Sequence, residues 1–246
     1  MKDSLMNLLF SLIITLVYAI PAFSLDGTEI LKKVDANLQP ESFESYRKLI
    51  NIEPSGAKRE FLLYTLKKGN DKIASLFLSP ASEKGRATLR LGDNMWLYIP
   101  NVGKPVRITS LQSVVGGVFN NADIMRLDYN VEYNVQNIGD EKSEYVLDLK
   151  AKTATVAYDK LKMWVDKKTV VPTKVECYAA TGLLIKTLYF KERKSFEGVL
   201  RPSVIETDSP LYKGYQSILA YANVKKRIVP DEVFTLEFLA KIETIR

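Results

Sequence analysis

Short runs in which apolar and polar residues alternate recur along most of this chain, and turn compositions separate them. A period of two residues is typical of β-strands with one buried face. The joints, such as Pro54-Ser55-Gly56 and Lys68–Asp71, are rich in residues that favour tight turns. Short strands joined by such turns indicate one meandering antiparallel sheet, and a sheet this long must curl because twist accumulates from strand to strand.

The predicted strands give the fold class. The runs are Ser45–Ile52, Lys58–Lys67, Lys72–Leu78, Arg86–Leu91, Met95–Ile99, Lys104–Ile108, Glu132–Ile138, Ser143–Leu149, Lys160–Val165, Val171–Tyr178, Leu183–Lys191, Leu200–Thr207, Tyr215–Val224 and Val233–Leu239. We therefore predict a mainly β (α+β) chain: a half-open antiparallel β-barrel of about ten or more strands over a hydrophobic cavity.

One helix precedes the strands, in Asp26–Leu38. Its apolar stripe includes Leu31 and Val34, and Asp26 or Thr28 can cap its start. An amphipathic helix of this kind can close the concave side of a curled sheet. We expect Leu31 and Val34 to face the cavity.

The stretch from Arg86 to Tyr129 contains a second candidate cover. After the predicted strand Lys104–Ile108, apolar residues recur at helix-like spacing around a glycine pair that weakens any helix. We predict a lid whose apolar contacts come from Leu111, Val114, Val115, Val118 and Phe119, with Gly116 and Gly117 as its hinge. The alternative is an ordinary loop that packs on the core.

In the predicted strand Met95–Ile99, parity places Met95, Leu97 and Ile99 on one face and Trp96 and Tyr98 on the other. We predict that the aliphatic face lines the cavity and that the aromatic residues pack under a helix or against the rim. Core packing without ligand contact is the alternative role for each residue.

The N-terminus has the pattern of an export signal. Lys2 precedes the apolar run Leu5–Ile20, and small residues around Ala22 and Ser24 end it. We predict a cleaved signal peptide at 1–24 and a single domain at 25–246. An uncleaved membrane anchor is the alternative, since the run approaches the minimum spanning length of about 17 residues.

Composition excludes several kinds of active site. The chain has no histidine and a single cysteine, Cys177, so it contains no Ser-His-Asp triad, no Cys-His pair and no disulfide. Asp93, Asp123 and Asp128 fit turn and helix-cap roles better than acid–base or metal chemistry. We predict no catalytic residues, no metal and no cofactor, and hence no enzyme. The alternative is an enzyme that uses carboxylates alone.

The charge pattern gives no nucleic-acid patch. The formal net charge is +6, but most lysines and arginines alternate with acids or lie at strand ends. We expect a monomer that does not bind nucleic acid.

The sequence also resembles a known family. The motifs GDNMWLYIPNVGKPVRI at Gly92–Ile108, VFNNADI at Val118–Ile124 and KMWVDKKTVVPTKVECYAATGLLIKTLYF at Lys162–Phe190 follow in the order seen in LolA-like outer-membrane lipoprotein-sorting proteins. The chain is similar to a divergent branch of that family. The resemblance implies a half-open β-barrel with a lidded hydrophobic cavity.

The family also implies a function. By resemblance, we expect a periplasmic carrier or chaperone for the acyl chains of lipoproteins or lipids, with an inner-membrane transporter as donor and an outer-membrane acceptor. Family members latch the lid with an arginine near the first strands, for which Arg47 and Arg59 are both candidates. A non-carrier periplasmic module that senses lipid or assists a transporter is the alternative.

Overall fold

The computed structural model describes residues 26–246. The predicted signal peptide, residues 1–24, lies outside the described residues, and its cleavage remains a prediction.

Within the described residues, the strands form one antiparallel sheet of 13 strands that does not close on itself. The strands are β1 (Phe43–Ile52), β2 (Lys58–Lys68), β3 (Lys72–Ser79), β4 (Ala87–Leu91), β5 (Asn94–Tyr98), β6 (Val106–Ile108), β7 (Tyr133–Glu141), β8 (Glu144–Ala151), β9 (Lys160–Asp166), β10 (Val171–Tyr178), β11 (Leu184–Phe196), β12 (Val199–Asp208) and β13 (Gln216–Lys226). The predicted mainly β, half-open fold is confirmed.

The strand order is β6-β5-β4-β3-β2-β1-β13-β12-β11-β10-β9-β8-β7. The chain therefore forms two meanders, joined where β1 pairs with β13. The two edge strands, β6 and β7, follow one another in sequence. We call the segment that connects these edges, residues 109–132, the lid segment.

The lid segment contains two short helices, α2 (Asn121–Ile124) and α3 (Tyr129–Glu132). Before them, an isolated bridge between Ser113 and Asn120 closes a tight turn. The helix-like spacing of the apolar residues in this part of the chain therefore ends in a turn rather than a helix.

The predicted N-terminal helix is α1 (Gly27–Leu38), capped by the Asp26 side chain, which accepts a hydrogen bond from the Thr28 backbone N–H at 2.9 Å. Its buried stripe includes Ile30, Leu31 and Val34. The helix packs against α3, β7, β10 and β12. It thus lies inside the curl of the sheet.

Two apolar clusters cover opposite faces of the sheet. The inner cluster joins residues of nearly all the strands, for example Leu63 of β2 and Met163 of β9, with α1 and the lid segment. The sheet must curl around it, because one cluster contacts both meanders. The outer cluster covers β2–β4 and includes Tyr64 and Leu89.

The outer cluster is completed by the C-terminal segment, residues 227–246. It consists of a 3₁₀ turn at Asp231–Phe234, helix α4 (Leu236–Leu239) and a second 3₁₀ turn at Ile242–Ile245. The predicted strand Val233–Leu239 is therefore wrong. Pro230 precedes the first turn, and the Thr235 side chain caps α4 by accepting from the Phe238 backbone N–H at 3.2 Å, so local capping overrides the strand-like composition.

Among residues 26–246, no helix has the length and apolar character needed to cross a bilayer.

Candidate functional site

A small cavity lies under the lid segment, against the inner face of the sheet. Its volume is about 30 Å³. The lid segment contributes Phe119, Ala122, Asp123, Arg126, Tyr129 and Glu132, and the sheet side contributes Tyr133, Ala157, Tyr158, Leu161, Val175, Cys177, Leu188, Phe190, Ile205 and Leu219. The sheet side of the cavity is mostly apolar.

The cavity volume describes a closed arrangement. Pockets that hold organic ligands have volumes of about 300–1,000 Å³. Phe119 is almost fully buried and occupies the space beside the cavity. Phe119 and its neighbours in the lid segment therefore fill the space that an organic ligand would need.

The predicted site residues lie at different depths. Leu31, Val34, Met95, Val114 and Phe119 belong to the inner cluster, and Val115 packs against it. Val118 and Leu97 are buried, and Ile99 is half-buried just after β5. Leu111 leaves 56 % of its surface exposed. Phe119 is the member of this set that lines the cavity, and ligand contact by the others remains a prediction.

The aromatic residues of β5 face the other way. Trp96 and Tyr98 are half-buried and pack against the outer cluster under the C-terminal segment. Met95 packs in the inner cluster. The parity prediction for β5 is therefore confirmed for these three residues.

The glycine pair of the lid segment lies so close to strand β1 that the second glycine has no room for a side chain. Gly116 has φ +72°, and a Cβ at Gly117 would overlap the Asn51 side chain of β1. Asn51 in turn accepts a hydrogen bond from the Ser217 hydroxyl at 2.8 Å, and that hydroxyl accepts from the Val118 backbone N–H at 2.9 Å. In the closed arrangement this turn is docked on the sheet. Its role as a hinge remains a prediction.

The residue before the pair is strained. Val115 has φ +45°, a left-handed conformation that is unfavourable for a β-branched residue. Such strain persists only when the surroundings enforce it. Release of the turn would relieve it.

The start of α2 is held by a buried ion pair. Asn120 and Asp123 form a capping box, which confirms the predicted cap role of Asp123. Asp123 also accepts from the Lys186 ammonium of β11 at 2.8 Å and from the Tyr158 hydroxyl at 2.9 Å. Lys186 donates to the Val118 carbonyl as well. The lid segment is thus fastened to β11 through Asp123.

The end of α2 is held by two buried arginines. The Arg47 Nη1 of β1 donates to the Ile124 carbonyl at 2.9 Å, and the Arg90 Nη1 of β4 donates to the Met125 carbonyl at 3.0 Å. Arg47 also donates to the Thr65 hydroxyl. Burial lowers the pKa of Arg47, although its ordinary value is so high that the charge persists at neutral pH.

The two candidate latch residues therefore differ. Arg47 is buried and bonds the lid segment, whereas the Arg59 side chain is 49 % exposed, with its Nε 3.6 Å from the Glu53 carboxylate. The Arg59 guanidinium also lies close to Gly116 of the lid segment, so which arginine acts as a latch remains a prediction.

Further tethers hold α3. Asp35 of α1 accepts from the backbone N–H groups of Tyr129 and Asn130, both at 2.8 Å. Burial is the largest influence on this carboxylate and raises its pKa to about 6, against the opposing effect of Arg126. The fully buried Lys67 ammonium donates to Asp128 at 2.6 Å, and Arg90 pairs with Glu132.

Sequence reasoning missed most of these tethers. The predicted site residues do not include Asp35, Lys67, Arg90, Tyr158 and Lys186. The sequence did contain a signal. Arg47 lies two residues from Leu49 and Lys67 four residues from Leu63, so each shares the inward face of its strand with a buried leucine. A charge on the buried face of a strand needs a partner, and here the partner is the lid segment.

The remaining candidate chemical groups have structural roles. Asp93 lies in the β4–β5 turn and accepts from the Thr155 hydroxyl at 2.7 Å. Burial raises the pKa of the Cys177 thiol well above its ordinary value, so it is a poor nucleophile. Asp93, Asp123 and Asp128 have separate partners and do not form one acid–base site.

Comparison with known proteins places the chain in a family. A model described as an uncharacterized protein family matches residues 69–241. A comparison with curated proteins finds no match. Solved structures match over most of the chain.

A LolA superfamily protein from Nitrosomonas europaea is similar with a TM-score of 0.80 and 29 % identity, over 87 % of this chain and all of the other. A candidate outer membrane lipoprotein-sorting protein domain from Vibrio parahaemolyticus gives 0.72 and 22 %, over 87 % and 98 % of the two chains. A DUF1329 family protein from Desulfovibrio piger gives 0.73 and 21 %, over 87 % and 97 %. The last two similarities show the fold. The chain therefore belongs to this family of uncharacterized proteins, a divergent branch of the LolA-like proteins.

Proposed function

We propose that the protein is a periplasmic carrier that binds the acyl chains of lipoproteins or lipids on the inner face of its sheet and shuttles them toward the outer membrane. One observation carries the proposal: the lid segment fills the space over an apolar face and leaves a cavity of about 30 Å³. An acyl chain and the lid segment would compete for the same surface. Binding and release are then two positions of one segment.

The burial of an acyl chain can offset hydrogen bonds that hold the lid segment closed. Opening the lid segment breaks the hydrogen bonds from Arg47 and Arg90 to the Ile124 and Met125 carbonyls. Each hydrogen bond to a charged group contributes about 1.5–3 kcal/mol, and each methylene removed from water about 0.8 kcal/mol. About four to eight buried methylenes therefore offset both tethers. The remaining methylenes of an acyl chain of ordinary membrane length are then available to offset the other tethers, such as the Asp123–Lys186 and Lys67–Asp128 pairs, which favour release.

The comparison supports the cellular setting of the proposal. A relative by fold is described as a candidate outer membrane lipoprotein-sorting protein domain, and the predicted export signal agrees with a periplasmic location. We propose a monomer that receives cargo from an inner-membrane transporter and passes it to an outer-membrane acceptor. Arg47 is the proposed latch. The protein carries out no catalytic step in this scheme.

The test combines cargo identification with transfer. Protein purified without detergent is extracted, and its lipids are measured by mass spectrometry. Transfer of a fluorescent acyl lipid between vesicles is then followed for wild type, Phe119→Asp and the control Ile228→Asp, because Ile228 is 95 % exposed. We expect co-purified acyl lipid, and transfer that is lost in Phe119→Asp alone.

Other outcomes separate the alternatives. Lipid that binds but is not transferred favours the non-carrier sensing or transporter-accessory module. Protein that neither retains lipid nor binds the fluorescent probe contradicts the proposed function.

A further inference from the structure

The charged side chains that line the cavity differ in whether they have an ion-pair partner. Apart from tyrosine and cysteine, the ionisable residues that line it are Asp123, Arg126 and Glu132. Asp123 is paired with the Lys186 ammonium at 2.8 Å, and Glu132 with Arg90. Both carboxylates are therefore neutralised by partners that also hold the lid segment.

Arg126 has no equivalent partner. Among the described residues, its guanidinium makes one hydrogen bond, from Nη1 to the carbonyl of its neighbour Leu127 at 3.2 Å. A guanidinium offers five N–H donors, so most of its capacity is unused. Its face lies over the Tyr129 ring, 4.7 Å from the ring centroid, which orients the group without occupying its donors.

The nearest carboxylate does not satisfy Arg126. Asp35 is 3.7 Å from Nη1, beyond hydrogen-bond distance. Its two oxygens already accept from the Tyr129 and Asn130 backbone N–H groups at 2.8 Å. Asp35 therefore moderates the charge of Arg126 but leaves the fork of N–H groups available.

The other inward cations are engaged differently. Arg47 donates to the Ile124 carbonyl, and Lys67 and Lys186 are each paired with a carboxylate within 2.8 Å. Arg126 thus combines three properties: it lines the cavity, it is charged, and its donors are free for a ligand.

We propose that the Arg126 guanidinium, which moves with the lid segment, binds the anionic oxygen group, a carboxylate or a phosphate, of an amphiphile whose acyl chain takes the place of Phe119 along the apolar wall of the cavity. The inference rests on the proposed carrier function and narrows its cargo to anionic amphiphiles. A guanidinium matches the two oxygens of either group with parallel hydrogen bonds. The apolar wall, including Leu161, Val175 and Leu188, suits the chain.

The test uses probes of one chain length: palmitate, palmitoyl lysophosphatidic acid and neutral monopalmitoylglycerol. Affinities for the purified full chain are measured by displacement of a fluorescent acyl probe. We expect at least one anionic probe to bind about tenfold or more tightly than the neutral one, the contribution of one charged hydrogen bond. The two anionic probes distinguish carboxylate from phosphate.

Arg126→Gln is expected to abolish this preference while it leaves the affinity for monopalmitoylglycerol within about twofold. The matched control is Arg246→Gln, whose side chain is 39 % exposed, lies in the C-terminal segment and is not part of the cavity lining. It should keep the preference. If Arg126→Gln does not fold, Arg126→Lys provides the readout: loss of the two-pronged geometry should reduce the preference about threefold.

Equal affinities of wild type for all three probes would overturn the inference, as would an unchanged preference in the Arg126 variant that folds. Failure of the underlying carrier function has a different signature, since none of the three probes would then bind.

Discussion

The two faces of the sheet are both covered by irregular segments with short helices, but the covers are attached by different forces. The C-terminal segment lies on the outer face through buried Val229, Val233, Phe234, Leu239 and Ile242. The lid segment lies on the inner face and adds buried charged tethers to its main-chain carbonyls. The hydrophobic effect has no preferred direction, so an apolar contact tolerates small shifts. A hydrogen bond requires its donor and acceptor to stay in place, so movement of the lid segment breaks these tethers.

Strain and replaceability separate the covers further. Val115 of the lid segment has φ +45°, while residues 227–246 contain no residue with positive φ. The apolar contacts of the lid segment can also be replaced by an acyl chain in the proposed function. We infer that the outer cover is permanent and the inner cover is releasable.

The largest expected effect concerns the aromatic anchor of each cover. Phe234→Ala should lower the free energy of unfolding by about 3–5 kcal/mol, because it removes a buried ring from the outer cluster. Its affinity for an acyl probe should not change. Phe119→Ala should increase that affinity, because the lid segment then competes less well. Urea unfolding and probe titration of both variants measure this, and a raised affinity in Phe234→Ala would contradict the division between covers.

The pH dependence of stability should differ in sign between Asp35 of α1, which holds the lid segment, and Asp231 of the C-terminal segment. The pKa of Asp35 in the folded protein is raised to about 6 by burial, above its ordinary value of 3.8. Between these values the folded state binds more protons than the unfolded state, so stability falls as pH rises, by about 3 kcal/mol in total. The lysines beside Asp231 lower its pKa, so its contribution is present above its ordinary pKa and is lost as pH falls below it.

Urea unfolding of wild type, Asp35→Asn and Asp231→Asn between pH 3 and pH 7 tests this contrast. Asp35→Asn should remove the fall in stability between about pH 4 and pH 6. If wild type and Asp35→Asn have the same dependence of stability on pH, then burial does not raise the pKa of Asp35.

A smaller effect is expected for the latch. Arg47→Leu removes the donor to the Ile124 carbonyl and should lower the free energy of unfolding by about 1–3 kcal/mol. Release of the acyl probe should slow, because the lid segment returns less readily. Arg246→Leu is the control, since its side chain is 39 % exposed and lies in the C-terminal segment. Stopped-flow release that is equal in the two variants would count against Arg47 as a latch.

The smallest effect concerns the docked turn. A Cβ at Gly117 would overlap Asn51, whereas a Cβ at Gly139 of β7 meets Val146 at an ordinary 3.5 Å. Gly117→Ala should therefore destabilise the closed arrangement by about 1 kcal/mol, and Gly139→Ala should be near neutral. Hydrogen exchange of the Val118 amide should accelerate in Gly117→Ala alone. Equal exchange rates would mean that the turn is not held by this contact.

The same contrast explains what could be predicted from the sequence. Local patterns sufficed where neighbours in sequence decide the structure: the stripe of Ile30, Leu31 and Val34 on α1, the parity of Met95 and Trp96, and the cap at Asp123. These features depend on helix and strand periods and on caps, which act over a few residues.

The tethers could not be predicted in this way. Arg47 and the Ile124 carbonyl are 77 residues apart, and their contact requires the curl of the whole sheet. The prediction for Val233–Leu239 failed for a different reason. Its alternation matches a strand, but Pro230 and the Thr235 cap start short helical turns, which pack across the outer face of β2–β4.

The strand order has a consequence for how this protein can change. Because β6 and β7 are consecutive in the chain and lie at opposite edges, residues 109–132 contribute no rung to the ladder of any strand pair. The sheet is maintained by the hydrogen bonds within the two meanders and by the pairing of β1 with β13. Because no strand pair depends on the connecting stretch, its roughly two dozen residues can change in sequence while the strand pairing stays the same.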